Sequence, residues 1–146
     1  MRYRIAIVAV LGAAVWAVAP VSGAALSPVL STKMTGGAET PPGAPNASGL
    51  AVIHLNAAKR SVCWQFKNLK GVTSPTASHI HKGGKGVSGP VFIPLGAKFA
   101  MKGCTTASKS SITAVESKPG AYYVNVHNAK YPNGAVRGQL VTGAAG

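Results

Sequence analysis

Beyond residue 30 the chain is built of short runs in which apolar and polar positions alternate, broken by Gly, Pro, Asn and Ser. No long segment there repeats its apolar residues at helical spacing. Alternation with a period of two is the pattern of half-buried strands. It predicts strands near 30–36, 48–56, 61–68, 77–82, 90–95, 110–116, 120–127 and 134–142. Short strands at this density predict an all-β, antiparallel sandwich or barrel.

The same alternation assigns faces, because neighbouring side chains on a strand point to opposite sides. In SVCWQFK, Val62, Trp64 and Phe66 share the core face, and Ser61, Cys63, Gln65 and Lys67 the other. In AYYVNVH, Tyr122, Val124 and Val126 look inward, which leaves Tyr123, Asn125 and His127 on the opposite, polar face. In SHIHK, Ile80 is the apolar member, so His79 and His81 become neighbours on one polar face. The GGKGVSGP that follows cannot continue a strand, since Gly favours turns and Pro90 has no amide hydrogen. It reads as a loop with few bulky side chains beside the histidines. His54 shares its side with Leu50 and Val52 and is expected to be a partly buried, hydrogen-bonded histidine, with a lesser claim to being a fourth metal ligand.

The first residues change the picture of where the chain works. A basic start, Met1-Arg2-Tyr3-Arg4, precedes an uncharged apolar run from Ile5 to Val18 and then the small residues of VSGAALS. This is the layout of a secretory signal peptide. Cleavage is expected after Gly23, Ala24 or Ala25, and the apolar run is shorter than the roughly 20 residues a membrane helix needs. The expected organisation is a signal peptide at 1–24, one domain at 25–142 and a tail at 143–146, with an exported product, periplasmic or extracellular, that carries no transmembrane helix. In an oxidising compartment Cys63 and Cys104, the two cysteines, are most simply one disulfide. Thiolate metal ligation is the alternative, without the C-x-x-C spacing that usually announces it.

Fifteen Lys and Arg stand against two acids, Glu39 and Glu116, with no Asp, giving a formal charge of +13 that falls to +11 once Arg2 and Arg4 are removed. The cations are scattered, with no Arg-rich strip interleaved with aromatics. An exported protein of this charge meets an anionic surface polymer or a protein partner before nucleic acid. A Ser-His-Asp triad is excluded without Asp, and GGKGVSG lacks the spacing of a phosphate-binding loop.

The elements MTGGAETPP (34–42), ASGLAVIHL (47–55), SHIHKGGKGVSGPVFIPL (78–95) and YYVNVHNAKYPNGAVRGQL (122–140), in this order, resemble the CHRD domain. That module is named after chordin and is also found in exported bacterial proteins. The resemblance implies an all-β extracellular module. It carries no implication of growth-factor antagonism, because chordin's cysteine-rich repeats are missing. A fainter likeness is to copper/zinc superoxide dismutase, an eight-stranded antiparallel Greek-key sandwich. There an H-x-H, a later V-V-H and a G-x-R arginine surround copper; His79, His81, His127 and Arg137 match by motif. A bridging histidine is missing and no Asp exists for a zinc site, so a dinuclear centre is excluded.

Three readings of the histidine face follow. The imidazoles bond Asn125, Tyr123, Ser78 or backbone carbonyls as plain scaffold; or His79, His81 and His127 hold one Cu or Zn ion; or His and Arg137 bind an anion or a partner. Three imidazoles with an open position suit zinc, and nitrogen-rich sites suit copper. Glu39, held extended by Pro41 and Pro42, is expected to pair with Arg137 or to orient a histidine, with Asn125 as a further candidate beside the site. The leading expectation is a non-catalytic binding module, with a mononuclear copper or zinc protein as the alternative and enzymatic activity left open.

Overall fold

The computed structural model describes residues 28–143, so the expected signal peptide and most of the tail lie outside the described residues. Nine strands form among these: β1 (Val29–Thr35), β2 (Ser48–Asn56), β3 (Ser61–Lys70), β4 (Pro75–Lys82), β5 (Val91–Pro94), β6 (Lys102–Thr106), β7 (Tyr122–Asn128), β8 (Val136–Gln139) and β9 (Val141–Thr142). All their pairings are antiparallel, in the order β5-β4-β7-β8-β1-β2-β3-β6, with β9 beside β1. The expected all-β, antiparallel fold is what the chain adopts. Its strands run in one continuous sheet, so the two layers of a sandwich are facing walls of the same curled sheet.

Residues 95–101 join the two edges of that sheet. The Leu95 and Phe99 amides donate to the carbonyls of Ser78 and Thr76 on β4, both at 3.0 Å, and the Phe66 amide on β3 donates to the Met101 carbonyl at 2.7 Å. Some of the backbone donors and acceptors left over near the edges are thereby paired, and the sheet is almost a closed barrel. Its interior is filled by the faces that alternation assigned: Val62, Trp64 and Phe66 from β3, Ile80 from β4, and Tyr122, Val124 and Val126 from β7. Trp64 satisfies its indole N–H on the Ala100 carbonyl at 2.9 Å. On the outside, Cys63 faces Cys104 across the β3–β6 pair, and the two form a disulfide.

Two elements depart from the expected strands. Residues 110–116 are part of a helix, α1 (Lys109–Ser117), instead of a strand. Ser108 caps it, its hydroxyl accepting from the Ser111 amide at 3.0 Å, and Ile112 and Val115, three apart on one face, are buried. The β-branched run ITAV imitates an alternating strand, but the cap and the three-residue spacing decide otherwise. The edge strand β6 has no counterpart in the expected set, because KGCTT carries no apolar alternation. His54, expected to be partly buried, is exposed on the outer face opposite Cys63. No helix among the described residues is long and apolar enough to cross a membrane.

Candidate functional site

Register places the chemistry. On the outer face of the sheet His79 of β4, Asn125 of β7 and Arg137 of β8 lie in one cross-strand row. His81, Tyr123 and Gln139 form the next row, and His127 pairs with Ala77 in the row on the other side. Directly paired residues share a face, so these side chains make one polar layer. That layer is not open to solvent as alternation suggests. Every residue of β7 is buried, and Arg137 is 2% exposed.

The cover is the glycine loop after β4 together with the turns at 36–40 and 129–134, and the polar layer binds it through backbone carbonyls. Arg137 donates to Val87 O at 2.8 Å and Gly84 O at 2.7 Å. Gln139 donates to Gly83 O at 2.7 Å, and Tyr123 Oη accepts from the Gly89 amide at 3.2 Å. Gly89 must be glycine, because a Cβ there would overlap the Lys82 carbonyl. Gly134 sits at φ +137 with Glu39 against it, where a Cβ would strike the carboxyl.

His81, Tyr123 and Arg137 are layered. The imidazole and phenol rings stack at 4.8 Å, and the guanidinium lies over the phenol at 3.5 Å. Because β4 and β8 flank β7 on opposite sides, the Tyr123 ring separates the arginine from the histidines. Arg137 therefore does not face them as the superoxide dismutase likeness implies; it fastens the loop.

His79, His81 and His127 converge, with one potential ligand atom from each within 4.8 Å of the others. The His79–His127 approach is the tightest, Nδ1 to Nε2 at 3.0 Å. Two of the rings have fixed tautomers. His81 Nδ1 lies 2.9 Å from Gly89 O and His127 Nδ1 lies 2.8 Å from Pro132 O. A carbonyl only accepts, so each Nδ1 carries the hydrogen and each neutral ring presents a bare Nε2.

The charges agree. Burial pushes His79 down to about 4, helped by the charges of His127 and His81. Burial also lowers His81 and His127, against the pull of their Gly89 and Pro132 carbonyls. Glu39, 5% exposed, goes the other way: burial raises it to about 7, opposed by the Arg137 charge, the Asn125 side chain and the Thr40 backbone. Glu39 thus feels the Arg137 charge and neighbours Asn125. Glu39 reaches toward the histidines through Asn125, whose Oδ1 stands 2.9 Å from His127 Nε2.

A pocket of about 520 Å³ opens onto the cluster, lined by His79, His81 and His127 with Thr76, Ser88, Val91, Tyr123 and Asn133 among its walls. Two nitrogens on a tetrahedral zinc ion stand about 3.3 Å apart, given metal–nitrogen bonds of about 2.0 Å. The spread of the three donors is within a small side-chain shift of that arrangement. What sequence reasoning missed is the role of the loop carbonyls and the burial of the layer; the only signal was the density of Gly around 83–89. No curated protein and no solved structure matches the chain. The family model described as CHRD domain matches residues 30–140, a span that holds the whole polar layer and its covering loops, and the chain belongs to the CHRD domain family.

Proposed function

We propose that this CHRD domain is an exported, non-catalytic binding module whose ligand is a single copper or zinc ion held by His79, His81 and His127. The observation that carries the reading is the tautomer locking: Gly89 O and Pro132 O take the Nδ1 hydrogens, so the Nε2 lone pairs of two buried rings point into the space shared with His79. Burial lowers all three imidazoles from the ordinary histidine range, His79 to about 4, which favours the neutral, ligating form in mildly acidic surroundings. The Cys63–Cys104 disulfide fits an oxidising compartment. Elemental analysis of protein matured through an export pathway, followed by Cu(II) and Zn(II) titration of the wild type and of a His79/His81/His127 triple alanine variant, tests it. About one equivalent bound by the wild type and lost in the variant is the expected result; no binding by the wild type refutes the reading.

A second reading concerns the surface. Of the two acids, Glu39 is buried and Glu116 half-buried, so the exposed charge of the described residues is almost wholly Lys and Arg. That supports docking to an anionic surface polymer or an acidic partner. Retention on a polyanionic matrix that falls steeply with salt and survives the triple alanine change would separate this activity from metal binding.

A further inference from the structure

The centre of the histidine cluster contains a fourth polar atom that belongs to no histidine. Asn125 Oδ1 is 2.9 Å from His127 Nε2. With His127 Nδ1 donating to Pro132 O, that Nε2 has no hydrogen in the neutral ring, so it and Asn125 Oδ1 are two acceptors facing each other. His81 Nε2 is likewise buried without a hydrogen-bond partner. His79 Nδ1 lies 3.0 Å from His127 Nε2, and since that Nε2 is bare it accepts the His79 Nδ1 hydrogen. Acceptors that converge in a buried space, with one hydrogen among them, repel each other unless a cation or a hydrogen-bond donor sits in their midst, and a cation serves all of them at once.

The amide is turned to make this so. The Asn125 side chain neighbours both the His81 imidazole and the Glu39 carboxyl. Asn125 Nδ2 and Glu39 Oε1 are both buried and lack a partner at full hydrogen-bond geometry, a pair of groups that a small approach would join.

Resting on the reading of His79, His81 and His127 as a mononuclear site, we propose that Asn125 Oδ1 is its fourth protein ligand, and that Glu39 is a positioning residue that holds the Asn125 amide nitrogen and so aims the oxygen at the ion. The donor set is then three imidazole nitrogens and one neutral amide oxygen. On loading, His79 carries its hydrogen on Nε2 instead of Nδ1, a tautomer change that releases no proton. Zinc takes such a set at four-coordinate geometry; Cu(II) takes it with a further position toward the pocket.

The test uses the full exported chain with Cu(II) and Zn(II) as probes, comparing wild type, Asn125→Ala and Asn125→Asp. Asn125→Ala is expected to weaken both ions about 10- to 100-fold and to alter the Cu(II) electron paramagnetic resonance hyperfine splitting. Asn125→Asp, the same shape with a charged oxygen, is expected to bind at least as tightly as the wild type. Should Asn125→Ala fail to fold, the Asp variant decides alone: weaker binding than wild type overturns the proposal. Glu39→Gln, which retains shape and can turn its own amide oxygen to the Asn125 nitrogen, is expected to keep the wild-type spectrum, and Glu39→Leu to shift it. Wild-type affinity and an unchanged spectrum in Asn125→Ala would overturn the fourth ligand and leave the three-histidine site standing. No metal bound by wild-type protein would instead remove the site itself.

Discussion

Replacing Glu39 by Gln in the metal-free protein should make the fold more stable at alkaline pH, and by an amount the structure bounds. Burial lifts the Glu39 carboxyl from 4.5 to about 7 in the native state. The folded chain therefore holds a proton that the unfolded chain has released, and stability falls as pH rises through that window. A displacement of this size is worth about 3 kcal/mol at the linkage limit, which solvent in the adjoining pocket trims to about 2 kcal/mol. Gln is neutral at every pH and escapes the loss. Urea denaturation with chelator present, at pH 5 and pH 8, measures the wild-type–variant difference at each pH, and histidine titration common to both proteins cancels. The variant should gain about 2 kcal/mol relative to wild type between the two conditions, or roughly 8 °C in Tm. A gap that does not change with pH, or one that moves against Gln, would show Glu39 to be ionised in the fold, with the Arg137 charge outweighing burial.

The histidines act with the opposite sign: neutral in the fold, they protonate first in the unfolded chain, so stability should fall as pH drops from about 6.5 toward about 4. His79→Gln should flatten that acid limb in the same denaturation assay, and an unchanged limb would contradict the depressed His79. Gly89→Ala should displace the loop from the Lys82 carbonyl and take Gly89 O from His81, costing about 2 kcal/mol in urea midpoint and weakening metal binding; wild-type values for both would refute the role given to the loop. The Cys63→Ser/Cys104→Ser protein should lose about 4 kcal/mol, the chain-entropy value for a cross-link of this span, and a loss below about 1 kcal/mol would mean that residues 95–101 already hold the edges together.

Alternation made the interior of the barrel legible, since Val62, Trp64, Phe66, Val124 and Val126 owe their places to period two alone. It failed where another local device competed. ITAV alternates as well as any strand, yet Ser108 as a cap and Ile112 with Val115 on one helical face settle it as α1. It was silent about the outer face, because nothing in polar residues such as Asn125 and Arg137 announces that loops will cover them. The histidine pair on β4 and the later His127 could be gathered from face assignments and motif likeness. Their tautomers could not, since the Gly89 and Pro132 carbonyls come from loops whose course no pattern of side chains encodes.

The scarcity of acids explains why this layer is built as it is. A ligating histidine is ordinarily oriented by a carboxylate or a carbonyl at its second nitrogen, and a chain with two acids and no Asp has almost no carboxylates to spend. Backbone carbonyls of Gly89 and Pro132 take that place. The same substitution recurs at Arg137, whose usual partner would be a carboxylate and which instead donates to Gly84 O and Val87 O while stacking on Tyr123. Carbonyls can approach buried side chains this closely only where the loop has little bulk of its own, which ties the glycines of 83–89 to the histidines they cover. The one buried acid, Glu39, stands beside Asn125, where a carboxyl oxygen can accept the amide hydrogens and so turn the amide oxygen toward the imidazoles.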